Sequence, residues 1–203
     1  IAASPAYAEA YREKGIAQNK LYLKMHDATL PTGEEALRTA LMLEPTDFDA
    51  LASLGDILKR DGRYEESAAT YMRATEASYG HPYPLLNEIA LQARTAGQIS
   101  IDARRRSELE RAERSLRAQV TANPPYNAPL SYFPLAAIRF YLGDGDGLLE
   151  QLEAGLPSCR AAWQPLTFRD TLGLVHTGGV SNPHLVQAMS RLSQAAADLP
   201  SDT

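Results

Sequence analysis

The chain has 203 residues, 44% of them hydrophobic, with 20 Lys and Arg against 25 Asp and Glu for a formal net charge of −5. That length and apolar content suffice for a sizeable core, while the acidic balance argues against general binding to nucleic acid or to an anionic membrane. No apolar run approaches the length of a membrane span, and the lone Cys159 excludes an intrachain disulfide.

Helices are expected throughout, because apolar residues recur at intervals of three and four and nowhere alternate over a strand's length. Ser4 reads as an N-cap and Pro5 as the first helical position of a helix running towards His26. A shorter partner from about Gly33 to Leu43 carries Ala36, Leu37, Ala40, Leu41 and Leu43. Next, Leu51, Leu54 and Leu58 form one apolar stripe. Gly55 sits beside that stripe, where a side chain would hold a partner helix away, despite a propensity cost of about 1 kcal/mol. Lys59 and Arg60 precede Gly62, which suits a left-handed C-terminal cap. Glu65 and Glu66 open the following helix at its positive end, and Ser67, Tyr71, Ala74 and Ala77 alternate small and large along one face.

Further on, Leu86, Ile89, Ala90 and Ala93 lead to Gly97, and Ala112 and Leu116 mark the partner helix. The run Ala103 to Glu110 extends that partner towards its N-terminus. Asn123 to Pro129, with three prolines, is expected to be a stiff, extended connector. Pro134 is tolerated only in a first turn, so the next helix should begin at Tyr132 or Phe133 and carry Leu135, Ala136 and Tyr141 up to Gly143. Leu148, Leu149, Leu152 and Leu156 follow on its partner. Phe168, Leu172, Gly173 and Val175 give a degenerate helix. Asn182 and Pro183 then restart one whose apolar stripe is Leu185, Val186, Met189, Leu192 and Ala196. Its wet face is Gln187, Ser190, Arg191, Gln194 and Asp198, as a terminal cap requires.

Leu51, Leu54-Gly55 and Leu58 also fall at the spacing W-x2-L-G-x2-Y, with Leu in place of both aromatics. Gly62 sits in the loop, Ser67 and Tyr71 stand at A-x3-F, Ala74 follows, and Pro45 lies just before. From about Phe48 to His81 the chain therefore resembles one full tetratricopeptide repeat. Loop glycines give the ruler: Gly62, Gly97, Gly143 and Gly178 lie 35, 46 and 35 residues apart, and Gly33 precedes Gly62 by 29. Two departures stand out. Tyr79 takes the slot of the closing proline, and no unit keeps its tryptophan. The resemblance implies an all-α, right-handed α-solenoid of helical hairpins, about ten helices in one domain over 1–203. The best repeats run over about 48–156, with atypical ends at 1–47 and 157–203.

Constellations that carry chemistry fail on inspection. Asp144-Gly145-Asp146-Gly147 begins like a calcium loop, but the required Glu would fall at Gly155 and the sharp-turn glycine at Leu149. A turn between two helices is expected there instead. Gly143, Gly145 and Gly147 form no G-x-G-x-x-G loop. His26, His81, His176 and His184 show no i,i+4 ligand pairing, and structural or solvated histidines are expected. No G-x-S-x-G or Cys/His nucleophile pattern occurs. Neither catalysis, a cofactor nor a metal is expected. Arg104, Arg105, Arg106, Arg111, Arg114 and Arg117 interleave with Glu108, Glu110 and Glu113, which reads as salt-bridged helix surface, the alternative being a docking patch for an acidic partner.

In the resembled family the first helix of each hairpin lines a concave groove. Here that implies Asp49, Ser53, Asp56, Lys59 and Arg60, then Asn87, Leu91 and Arg94, then Phe133, Ala137 and Phe140. One family subset grips C-terminal carboxylates through Lys and Asn on these helices. Asp56 stands where that clamp wants Asn and the Lys is missing, so carboxylate capture is not expected. A groove polar at one end and aromatic at the other suits an extended or helical peptide.

The expected function is a non-catalytic scaffold for protein–protein interaction, with a protein or peptide partner, no nucleic acid and no membrane; a homo-oligomer stays open. The alternative is a regulatory or substrate-presenting region of a larger enzyme, since such arrays are also fused to glycosyl- and sulfotransferase domains. An isolated helical enzyme or ligand carrier would need a deep, convergent polar pocket. The chain begins at Ile1 rather than Met, as expected of a processed product or a piece of a longer protein. Ala6-Tyr7-Ala8 has the form of a signal cleavage site without the segments that precede one, so a soluble, cytoplasmic setting is favoured over a periplasmic or secreted one.

Overall fold

A computed structural model describes residues 5–25 and 27–200, and all of their regular structure is helical. The ten α-helices are α1 (Pro5–Met25), α2 (Glu34–Leu43), α3 (Phe48–Arg60), α4 (Tyr64–Ala77) and α5 (Pro82–Ala96), then α6 (Ala103–Val120), α7 (Tyr132–Tyr141), α8 (Gly145–Gly155), α9 (Trp163–Thr177) and α10 (Pro183–Ala197). A 3₁₀ turn at Leu156–Ser158 follows α8. Ser4 and His26, expected to bound the first helix, lie outside the described residues. The chain forms two compact units, one up to Glu88 and one from Ile89 on, so the boundary falls within α5.

In the first unit α1 packs on α2 and α3 on α4, and α2 joins the two pairs through α3. Leu37, Leu41, Leu51, Leu54, Ile57, Leu58 and Ala74 make its core, with Phe48 packed against it. Asp47 starts α3 by accepting from the Ala50 amide at 3.0 Å, which satisfies one of the free donors of a helix start. At the other end Gly62 has φ 77, its amide donates to Lys59 O at 3.2 Å, and the Arg63 amide donates to Leu58 O at 2.9 Å. That pair of bonds is the Schellman cap the basic-then-Gly ending predicts. Gly55 meets α4 as expected: a Cβ there would lie 2.8 Å from Cε1 and 2.9 Å from Cζ of Tyr71.

The end of α4 explains the departure at position 79. The Tyr79 amide donates to Glu76 O at 3.3 Å and the Gly80 amide to Thr75 O at 2.8 Å, so Tyr79, at φ 55, holds the left-handed cap position. Proline, with φ locked near −65°, could not stand there. The left-handed region costs an L-residue roughly 1–2 kcal/mol, and the Tyr79 side chain, 89% exposed, packs too little to offset it. Tyr79→Gly is therefore expected to raise the melting temperature, by up to about 1 kcal/mol of stability after the flexibility of unfolded glycine is counted. A lower melting temperature would mean that the ring makes a contact worth more than the strain.

In the second unit α6 starts on Asp102, whose carboxylate accepts from the Arg105 amide at 2.7 Å, and packs on α7. The pairs α7/α8 and α9/α10 follow, with α10 also against α8. Leu109, Leu135, Ile138, Leu148, Leu152, Leu172, Val175, Leu185 and Leu192 fill this core. Helix α7 begins at Tyr132, which places Pro134 in its first turn, as its missing amide hydrogen requires.

Three local expectations are corrected. Residues 123–129 bend at Asn123 and Pro124 and turn from Tyr126 to Pro129 rather than forming an extended connector. The Tyr126 amide bonds Gln119 O at 2.9 Å, the Ser131 amide bonds Asn127 O at 3.1 Å, and Asn127 takes φ 58, a region Asn tolerates. Asp144-Gly145-Asp146-Gly147 is no inter-helix turn but the N-cap and first turn of α8, with Asp144 accepting from the Gly147 amide at 2.8 Å. Gly178 is the C-cap just past α9, the left-handed glycine that follows is Gly179 at φ 104, and a Cβ on Gly178 would lie 2.7 Å from the Arg94 carbonyl oxygen. On α10 the buried stripe is Leu185, Ala188, Leu192 and Ala196, and Val186 is exposed. Spacings of three and four around Leu185 place Ala188, not Val186, on the covered face.

Candidate functional site

The polar groups that converge in the first unit do so on α3 and its neighbours. Asp56, one turn past Ser53, points its carboxylate at two phenols: Tyr71 of α4 donates to Oδ1 at 2.6 Å and Tyr83 of α5 at 2.5 Å. Lys59 Nζ lies 3.4 Å from the same oxygen, donates to Asn87 Oδ1 at 2.8 Å and sits 5.7 Å from the centre of the Tyr71 ring. Asn87 Nδ2 donates back to Tyr83 O at 2.9 Å. Burial first, and then the Asp56 charge, push the Tyr71 and Tyr83 phenols well above the usual tyrosine range. Both therefore stay protonated and donate. Cation, anion and donors are matched within the cluster, so the Lys59 ammonium is already engaged. Carboxylate capture finds no support in this arrangement.

Beside the cluster, Asp49, Ser53, Asp56 and Arg60 follow one another at spacings of four, three and four, and so lie along one face of α3. Asp49 and Arg60 are exposed, and Ser53, Asp56 and Lys59 are partly so. Arg60 reaches α1, where Nη1 donates to Asn19 Oδ1 at 2.8 Å and the guanidinium lies 4.9 Å from the centre of the Tyr22 ring. Sequence reasoning found the α3 residues from the helical period. It missed Tyr71, Tyr83, Asn19 and Tyr22, which other helices bring in. A tyrosine at the second-helix aromatic slot was the one legible hint of the phenol beneath Asp56.

Other expected groove residues sit elsewhere. Asn87 is buried and held by Lys59 and Tyr83. Leu91, Phe133 and Phe140 are corrected: all three are buried, Phe133 stacking on Phe168 with centroids 5.1 Å apart and planes 6° from parallel. Ala137 is buried too. Apolar side chains on a helix packed on more than one flank fill core rather than groove. Arg94, half-buried in the second unit, is bonded to Thr177.

The charged helix α6 is laced as its spacing predicts, with Arg104 to Glu108 at 3.1 Å, Arg105 to Glu108 at 2.6 Å and Arg117 to Glu113 at 2.6 Å. Arg139 of α7 joins Glu113 at 3.1 Å. Burial raises the Cys159 thiol above its ordinary value, which disfavours the reactive thiolate. Among the described residues no three His, Cys, Asp or Glu side chains gather as metal ligands, and no helix is long and apolar enough to cross a membrane.

The geometry defines a protein of successive helical hairpins. No protein-family model and no curated protein matches the chain. Among solved structures it is similar to a tetratricopeptide repeat protein from Parabacteroides merdae, at 14% identity over 91% of this chain and 99% of that one, with a TM-score of 0.35.

Proposed function

We propose that the chain is a non-catalytic interaction scaffold that holds an extended or helical peptide segment against α3 of its first unit. The observation that carries this reading is the face Asp49, Ser53, Asp56 and Arg60, polar and accessible along about three turns, with Tyr22 and Tyr83 beside it. Aromatic rings and an arginine flanking a narrow polar track are the residue types that dominate peptide and protein contacts. The phenol network beneath Asp56 keeps the track in one shape before a partner arrives, which lowers the ordering cost of binding.

Selection of peptides from a random display library against the whole chain tests this. Selected peptides should lose about tenfold in affinity on Ser53→Arg or Arg60→Glu, the loss of one good contact. Glu150→Lys, on exposed α8 surface of the second unit, should change nothing. Selection of no peptide, or of peptides indifferent to both α3 changes, would refute the reading.

A further inference from the structure

His81 stands immediately before Pro82, the first residue of α5, and its ring closes the start of that helix. The Tyr83 amide donates to His81 Nδ1 at 3.2 Å. Elsewhere in this chain an oxygen does this work, from Asp47, Asp102, Asp144 and Asn182. The His81 amide donates to Ser78 Oγ at 3.2 Å, and the ring packs on Phe48 of α3 with centroids 5.4 Å apart. A ring nitrogen that accepts carries no proton, so this cap requires the neutral imidazole with its hydrogen on Nε2. Protonating Nδ1 sets donor against donor. It also places a positive charge at the positive end of α5. The capped amide belongs to Tyr83, whose phenol closes on Asp56.

We propose that His81 is a proton-operated cap: neutral, it holds the first turn of α5 and with it the Tyr83–Asp56 bond; protonated, it releases both and loosens the peptide face. The effect on peptide binding rests on the function proposed above, whereas the cap does not. The ring meets Phe48 of α3 and the Tyr83 amide of α5, the loop's Ser78 hydroxyl being taken by the His81 backbone amide, and partial burial is what lowers the His81 pKa, with no charged side chain contributing. Because the folded value lies below the unfolded one, about 6.5, the unfolded chain binds more protons in the window between them. The stability contributed by the cap is full above about pH 6.5 and is lost as pH falls from there through the folded value.

The test is an NMR titration of the full chain from about pH 7.5 to about pH 5, on the wild type, on His81→Asn, which caps without titrating, and on His81→Ala, which does not cap. Imidazole nitrogen shifts should show the Nε2–H form of His81 at neutral pH. Exchange protection of the Tyr83 amide, corrected for the intrinsic rate, should fall about fivefold through the titration in the wild type, the worth of one cap. It should stay level in His81→Asn and be low throughout in His81→Ala. An Nδ1–H form at neutral pH, or the same fall in His81→Asn, overturns the proposal. A peptide obtained as above should bind more weakly at low pH to the wild type and equally to His81→Asn. Failure to select any peptide would count against the scaffold reading while the amide titration still judges the cap.

Discussion

Gly55→Leu is expected to destabilise the first unit by about 1–3 kcal/mol, the cost of overpacking a filled site. Even the first added carbon would stand 2.8 Å from the Tyr71 ring. That ring has nowhere to go. It is fully buried, its phenol bonds Asp56 at 2.6 Å, and it meets Tyr83 edge-on at a centroid distance of 6.2 Å. Ser67 Oγ also donates to Gly55 O at 2.8 Å, which holds the two backbones together at the crossing. A glycine on open helix surface would respond with the opposite sign, gaining about 1 kcal/mol of propensity from the same change. Urea unfolding decides between the two. A higher midpoint would mean that α4 does not cross at Gly55, and the repeat alignment around Leu51 would fall with it. Gly55→Ala should move in the same direction by less.

Truncation before Asn182 is expected to have the larger effect on the second unit. It removes Leu185 and Leu192, both fully buried, from the surfaces of α8 and α9. Burial of a leucine is worth about 1.5–3 kcal/mol, so the two alone amount to a large fraction of a typical domain's margin. The paired contacts of Arg191 with Glu153, at 2.7 and 2.9 Å, go as well, although both groups are exposed and contribute little. The uncovered apolar face should drive self-association, read as a mass above the monomer by light scattering. The Tyr83 amide and the Asp56 cluster should stay protected, because helical hairpins depend on their immediate neighbours. A truncated chain that remains monomeric with unchanged stability would show that α10 caps nothing.

Helix existence, order and most ends were legible in the chain itself, because they are set by local chemistry. Spacings of three and four mark the helices. Asn182 supplies a cap, Pro134 can stand only in a first turn, and Gly62 ends α3 through a bond pattern that needs no distant partner. Gly55 was legible too, since its match to the repeat already implied a crossing helix.

Tertiary structure alone decided which flank of each helix meets water. Leu91, Phe133 and Phe140 share the helical period of a groove face, yet neighbouring helices cover them. A period fixes the angle of a residue around its axis and says nothing of how many sides are covered. The same holds for Gly15, an unexplained mid-helix glycine until its packing is seen: a Cβ there would lie 2.6 Å from Leu37 Cγ and 3.0 Å from Gly33 O. The polar cluster is the sharpest case. Asp56, Lys59, Tyr71, Tyr83 and Asn87 come from three helices spread over 32 positions, and only packing turns an exposed-looking Asp and Lys into one matched network. His81 likewise reads as an ordinary loop histidine, because the chain's sequence does not say which ring nitrogen faces the Tyr83 amide; the fold does.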